Sequence, residues 1–268
     1  MGNATAADAE RAALLRIERS GAVLTVALNR PAKRNALNDG IILEIGQCFA
    51  NLPEDIGAVV IHGAGDHFSS GLDLSELTEH DATEGLRHSQ MWHRVFDRIQ
   101  YSRVPVIAAL KGAVIGGGLE LACAAHIRVA EPSAYFALPE GQRGIFVGGG
   151  GSVRLPRLIG VARMTDMMLT GRVYSATEGS AYGFAQYLVE EGGALKKALE
   201  LAERIASNAP LTNFAVLQAL PMIAESNPQT GLLMESLMAT VAQSDKEAKR
   251  RIRAFLEHKT AKVKPGSK

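Results

Sequence analysis

Apolar and polar residues alternate along LLRIERSGAVLTVALNRP (14–31), on either side of Ser20-Gly21, which predicts a β-hairpin. The spacing of GIILEIGQCFANL (40–52) predicts a helix, and the apolar run IGAVVIHGAG (56–65) predicts a buried strand. A long amphipathic helix is expected over 84–102, with Leu86, Met91, Val95, Phe96 and Ile99 mostly inward. VPVIAALKG (104–112) reads as a further strand, followed by a glycine cluster and a helix near 117–125. IRVAEPSAYFALPEG (127–141) reads as two short strands around a turn. From 152 onward helices dominate, at 161–170, 177–183, 193–207, 210–223 and 230–257. The pattern predicts an α/β body of repeated strand-strand-helix units over 11–204 and a helical region over 205–268.

The 268 residues suffice for a large core, with 47% hydrophobic and 21% charged residues as in ordinary globular proteins. A formal charge of +1 supplies no global field for nucleic acid or a membrane surface, and neither partner is expected. Cys48 and Cys123 sit in apolar, helix-like settings and are expected to pack as small hydrophobes. With no disulfide framework, no membrane-length apolar run and no secretory opening pattern, the cytoplasm is the expected compartment.

In KGAVIGGGLELACAAH (111–126), Gly116, Gly117 and Gly118 stand just before Glu120 in an apolar stretch. Glycines are entropically costly to order, and a carboxylate is costly to bury. No window fits G-x-G-x-x-G or the phosphate-loop pattern. A strand, a glycine turn and a helix start nonetheless bare backbone N–H groups to a ligand. GAGDHFSSGLDLSEL (63–77) offers a second such junction at Ser69-Ser70-Gly71. Two junctions can aim two amides at one oxygen that gains charge during reaction. Glu120, and Glu140 in FALPEGQRG, lie near these elements; buried together, one could act as acid and the other as base. From spacing alone, a helix cap or a surface charge is the better-supported account of either glutamate. Histidines at no metal-like spacing make a metal site unexpected.

NRPAKRNALN, GAGDHFSSGLDLSEL, KGAVIGGGLELACAAHIRVAE and FALPEGQRGIFVGGGGSVRLPRLIG, in this order and spacing, resemble the crotonase superfamily, and enoyl-CoA hydratases in particular. The resemblance runs from about residue 14 to 259. It implies an α/β crotonase-like spiral of ββα units with a helical C-terminal trimerisation region, assembled as a homotrimer or homohexamer. It implies an acyl-CoA substrate, coenzyme A being part of that substrate and no separate cofactor being needed. By motif position the oxyanion hole falls to the amides of Leu72 and Gly117, and the catalytic pair to Glu120 and Glu140. Lys33, Arg34, Ala36, Ser70, Asp73, Leu74 and Gly116 occupy positions implied to bind CoA or substrate. Phe255 and Lys259 stand where the family reaches CoA held mainly by a neighbouring subunit, and Trp92, Phe96 and Val147 where an acyl pocket is implied.

Some positions depart from the family pattern. His126 replaces a common Asp, and a packing or capping role is expected for it. QMWHRVF, with His93, resembles the matching stretch of 4-chlorobenzoyl-CoA dehalogenases, but their nucleophilic Asp would fall at Gly148, which removes that chemistry. Arg143 stands where apolar residues are common; it either meets a substrate carboxylate or faces solvent. The glutamate at position 120 weighs against the hydroxycinnamoyl-CoA hydratase-lyases, and the pair of glutamates favours hydration over double-bond isomerisation. A non-catalytic CoA- or RNA-binding scaffold would need neither acid.

Overall fold

The computed structural model describes residues 13–76 and 81–257. The opening alternation forms an antiparallel hairpin, β1 (Leu15–Ser20) against β2 (Val23–Leu28), turned by Gly21 at φ +56°. Helix α1 (Asp39–Ala50) starts where the Asn38 side chain accepts the Ile41 amide. Strand β3 (Ala58–Gly63) then pairs parallel to β2. It is buried on both faces, which explains its unbroken apolar run. Helix α2 (Ala82–Gln100) opens with a capping box between Asp81 and Glu84.

The chain then lays down β4 (Val106–Leu110), β5 (Ala113–Ile115), α3 (Gly117–Ala124), β6 (Ile127–Ala130) and β7 (Tyr135–Ala137). Helices α4 (Gly151–Ile159) and α5 (Val161–Thr170) follow, then β8 (Tyr174–Ser175), α6 (Ala176–Tyr182), β9 (Tyr187–Leu188) and α7 (Ala194–Ala206). One sheet has the order β1-β2-β3-β4-β6-β9, parallel from β2 onward, and a smaller one the order β5-β7-β8. Successive turns give one strand to each sheet before a helix: β4 and β5 precede α3, and β6 and β7 stand in separate sheets rather than forming a hairpin. This is the crotonase-like ββα spiral. The main core lies between the sheets and α1 to α6, while Ala198, Leu201 and Ala202 of α7 cover the outer face of the large sheet at Val60, Ile107 and Val129.

After Ala206 the chain forms a second compact unit, which is helical. It holds α8 (Pro210–Phe214), a π-turn, α9 (Leu220–Glu225), α10 (Pro228–Ser244) and α11 (Lys246–Leu256). Leu232, Leu233 and Leu237 of α10 are more than half exposed, and Val241 beside them is exposed as well.

Three expectations need correction. Leu86 is 59% exposed. Nine positions separate it from Val95, which turns it about 180° from Val95 and off the face that buries Trp92, Phe96 and Ile99. The helix expected over 230–257 breaks at Asp245, whose carboxylate accepts the amides of Glu247 and Ala248 and so starts α11 afresh. Helix α4 was hidden by its glycine-rich start and by Pro156 within it. Cys48 and Cys123 are both unpaired, and Cys123 is buried.

Candidate active site

One wall of the site begins at Asn35. Its buried side chain donates to Ala64 O (2.8 Å) and His67 O (2.7 Å), fixing the loop after β1–β2 against the loop after β3. Leu37 and Leu72 then form a parallel bridge: the Leu37 amide donates to Gly71 O and the Asp73 amide to Leu37 O, both at 2.8 Å. In such a bridge the middle residue turns its own N–H to the opposite side. The Leu72 amide therefore points away from Leu37, toward α3.

At α3 a second amide arrives. Gly116, at φ +51°, turns the chain out of β5, and Gly117 opens the helix, where an N–H has no intrahelical acceptor. A methyl group built on Gly117 would lie 3.6 Å from Leu72 N, and one on Gly71 3.3 Å from Gly117 N. The two amides are thus neighbours. Each of the three successive glycines has its own close contact. Added methyls would meet Glu140 Oε1 at 2.5 Å (Gly116), Trp92 Cζ3 at 2.8 Å (Gly117) and Ser69 O at 2.7 Å (Gly118).

Glu120, one turn into α3, is 3% exposed. Its Oε1 accepts the amides of Gly149 (2.8 Å) and Gly151 (2.7 Å), the latter the first residue of α4. Glu140 follows β7 and is 9% exposed, and its buried Oε2 has no hydrogen-bond partner among the described residues. Burial drives both carboxyls above their ordinary values. At Glu120 the Gly151 and Gly149 amides and Arg154 oppose that rise. Glu140 reaches about 7, pushed first by burial and then by the charge of Glu120, against its own amide and Arg143. Both glutamates line one cavity of about 420 Å³, together with Leu72, Gly117, Trp92 and Val147. An acid, a second acid and two neighbouring amides around one cavity can move a proton while stabilising an oxygen that becomes negative. Among the described residues no group of three or more His, Cys, Asp or Glu side chains could hold a metal ion.

Residues 18–265 match the family model described as "Enoyl-CoA hydratase/isomerase". The chain belongs to the enoyl-CoA hydratase/isomerase family. It is 34% identical to the short-chain-enoyl-CoA hydratase of Clostridium acetobutylicum, over 90% of this chain and 94% of that one. It is 34% identical to the 2,3-dehydroadipyl-CoA hydratase of Escherichia coli, over 92% and 97% respectively. A crystal structure from Rhodopseudomonas palustris, provisionally named an enoyl-CoA hydratase, is 78% identical over 93% of this chain and 97% of its own, with a TM-score of 0.90.

Of the other positions that the family resemblance singles out, Ser70, Leu74 and Gly116 also line the cavity. Lys33, Arg34, Ala36 and Asp73 lie just behind them on two loops joined by the Ser70 amide bond to Arg34 O (3.0 Å). Asp73 is not a free ligand group: it accepts from Arg30 (2.7 Å), Lys33 (3.1 Å) and Ser75. Burial pushes its carboxyl up, but Ser75, Arg30 and Lys33 outweigh this and hold it well below the usual range. Phe96 is not on the cavity wall. It lies fully buried behind Trp92, edge-on at 5.6 Å between ring centroids. Phe255 belongs to the second unit and is exposed, and Lys259 lies outside the described residues. His126 is a clamp: its Nδ1 accepts the Val106 amide and its Nε2 faces Gln100 O, each at 2.9 Å. Arg143 is exposed at the cavity edge. His93 meets Ser89 at 3.4 Å and is absent from the cavity lining.

Sequence reasoning missed the group that holds Glu120. Ser89 donates to Gly148 O (2.7 Å) and Arg154 to Gly149 O (2.9 Å), so the run Gly148–Gly151 is tied from two sides. The available signal was the four-glycine run itself, followed by an arginine in an apolar helix.

Proposed function

We propose that this protein is an enoyl-CoA hydratase, adding water across the trans-2 double bond of an enoyl-CoA thioester. The observation that carries the reading is the pair of buried carboxyls, Glu120 and Glu140, on one cavity with the neighbouring amides of Leu72 and Gly117. The thioester oxygen accepts both N–H groups, which stabilise the negative charge it gains as the enolate forms. Glu120, with two amides on Oε1, is the better carboxylate and takes a proton from water as the oxygen bonds to C3. Glu140, raised to about 7 and with an unpartnered oxygen, is still substantially protonated near neutral pH and in that form delivers its proton to C2. Over a full turnover water supplies what is added: its hydroxyl ends on C3, and its proton, left on Glu120, passes to Glu140 to restore the one delivered to C2. No metal or separate cofactor enters this sequence.

Lys33, Arg34, Ala36, Ser70, Asp73 and Leu74 then cradle the CoA moiety. Asp73 acts by aligning Arg30 and Lys33, to which it is hydrogen-bonded. Trp92 and Val147 wall the acyl end. The exposed leucines of α10 support assembly into a homotrimer or homohexamer, in which Phe255 and Lys259 would meet a neighbour's CoA. The compartment read is the cytoplasm; no described helix is long and apolar enough to cross a membrane.

The test is loss of the enoyl-thioester ultraviolet absorbance with crotonyl-CoA. Glu120→Gln and Glu140→Gln should each lower kcat by about 100-fold or more. Turnover unchanged in both variants would refute the mechanism, and a shifted double bond with no hydroxyacyl product would make the protein an isomerase.

A further inference from the structure

Arg154 is 7% exposed, although arginine rarely sits so deep without a fixed task. Each nitrogen of its guanidinium donates: Nε to Gln100 Oε1 (2.6 Å), Nη2 to Asp97 Oδ1 (2.6 Å) and Nη1 to Gly149 O (2.9 Å). Two of these partners lie on α2, and the third is the carbonyl of Gly149, the residue whose own N–H bonds Glu120. A methyl built on Gly150, at φ +94°, would lie 2.2 Å from Nη1, so the turn is wrapped directly on the guanidinium. A run of glycines has little conformational preference of its own. Something outside it must choose the geometry that turns two N–H groups onto one carboxylate oxygen.

We infer that Arg154, braced by Asp97 and Gln100, is a positioning residue that locks the Gly148–Gly151 turn so that the Gly149 and Gly151 amides hold Glu120 for proton abstraction. The inference rests on the hydration reading. Arg154 does not line the cavity; it acts through the turn. Its positive charge also favours ionised Glu120. The other titratable groups near Glu120 are Glu140 across the cavity, Cys123 on its own helix and His88 on α2, with Arg143 beside Glu140.

Three variants separate geometry from charge. Arg154→Lys keeps the charge, but one ammonium cannot span three acceptors. Its kcat should fall about 10- to 100-fold, the scale of a small misplacement of a reacting group, with KM nearly unchanged and the acid limb of the pH profile in place. Arg154→Gln should lose at least as much kcat and shift the acid limb to higher pH, because removing a cation raises the pKa of Glu120. Wild-type kcat in folded Arg154→Lys, or an unmoved limb in Arg154→Gln, would overturn the inference. Should both fail to fold, Asp97→Asn decides at a half-exposed side chain: reduced kcat supports the clamp and unchanged kcat refutes it. If wild-type protein hydrates no enoyl-CoA, the hydration reading fails on its own. Amide exchange then tests the clamp: Gly149 and Gly151 should exchange about tenfold faster or more in Asp97→Asn, and unchanged exchange refutes it.

Discussion

The Glu140 carboxylate rests on the bare Cα of Gly116: a methyl group there would stand 2.5 Å from Oε1. This contact ties the glycine turn before α3 to the acid that follows β7, and it explains a residue that helix stability alone disfavours.

Gly116→Ala should therefore fail twice. At φ +51° an L side chain adds strain of about 1–3 kcal/mol, and the new methyl must displace Glu140. Thermal melts should show the stability loss, and kcat with crotonyl-CoA should fall about 100-fold. Normal turnover in folded Gly116→Ala would mean that the position of Glu140 is not critical.

Glu140 also makes a signed prediction about pH. Its carboxyl is raised to about 7 by burial and by Glu120, above its unfolded value. Between about pH 4.3 and 7 the folded state binds more protons than the unfolded one, so stability falls as pH rises through this window and levels off above it. Glu140→Gln cannot ionise. Compared with wild type it should gain stability progressively across the window, by about 4 kcal/mol at most. Denaturant midpoints at pH 5 and pH 8 check this, and an equal offset at both would contradict the raised value.

Asp73 has the opposite sign. Its depressed carboxyl contributes stability that is present above the unfolded value and lost as pH falls through the folded one. Asp73→Asn should cost about 1–3 kcal/mol at neutral pH, less in strong acid, and raise KM for acyl-CoA because Arg30 and Lys33 lose their common anchor. Melts across pH together with KM measurements test both halves; a wild-type KM would remove Asp73 from CoA binding.

Trp92 is 4% exposed and packs its ring edge against the Cα of Gly117 while lining the cavity. Trp92→Phe should open space beside the amide pair and shift kcat/KM toward bulkier acyl groups, by about 10-fold or more between short and long or aromatic chains. An unchanged ratio across an enoyl-CoA series would assign Trp92 to the core alone.

Much of this arrangement was readable in the chain. The hairpin at Ser20-Gly21, the buried run of β3 and the helix after Gly116 all follow from local period and turn chemistry. The small sheet was not readable, because β5 and β7 have three residues each and β8 two, and their pairing depends on distant segments. The two glutamates stood out as acids in apolar text, but their convergence on one cavity is a tertiary fact. The Arg154 brace was invisible for the same reason: its acceptors lie more than fifty residues upstream on α2 and five residues back in a glycine run. Helical spacing placed Phe96 inward, as found, and only the acyl-pocket position implied by the family resemblance fails for it. Leu86 was misplaced because its apolar side chain was read as inward although its helical position turns it off the buried face.

The most direct measurement is a crystal structure of the protein with a saturated acyl-CoA that cannot be hydrated. The account predicts the thioester oxygen at about 2.7–3.1 Å from both Leu72 N and Gly117 N, with C3 between Glu120 and Glu140. A thioester oxygen bound away from either amide, or either carboxyl turned out of reach of C2 and C3, would contradict it.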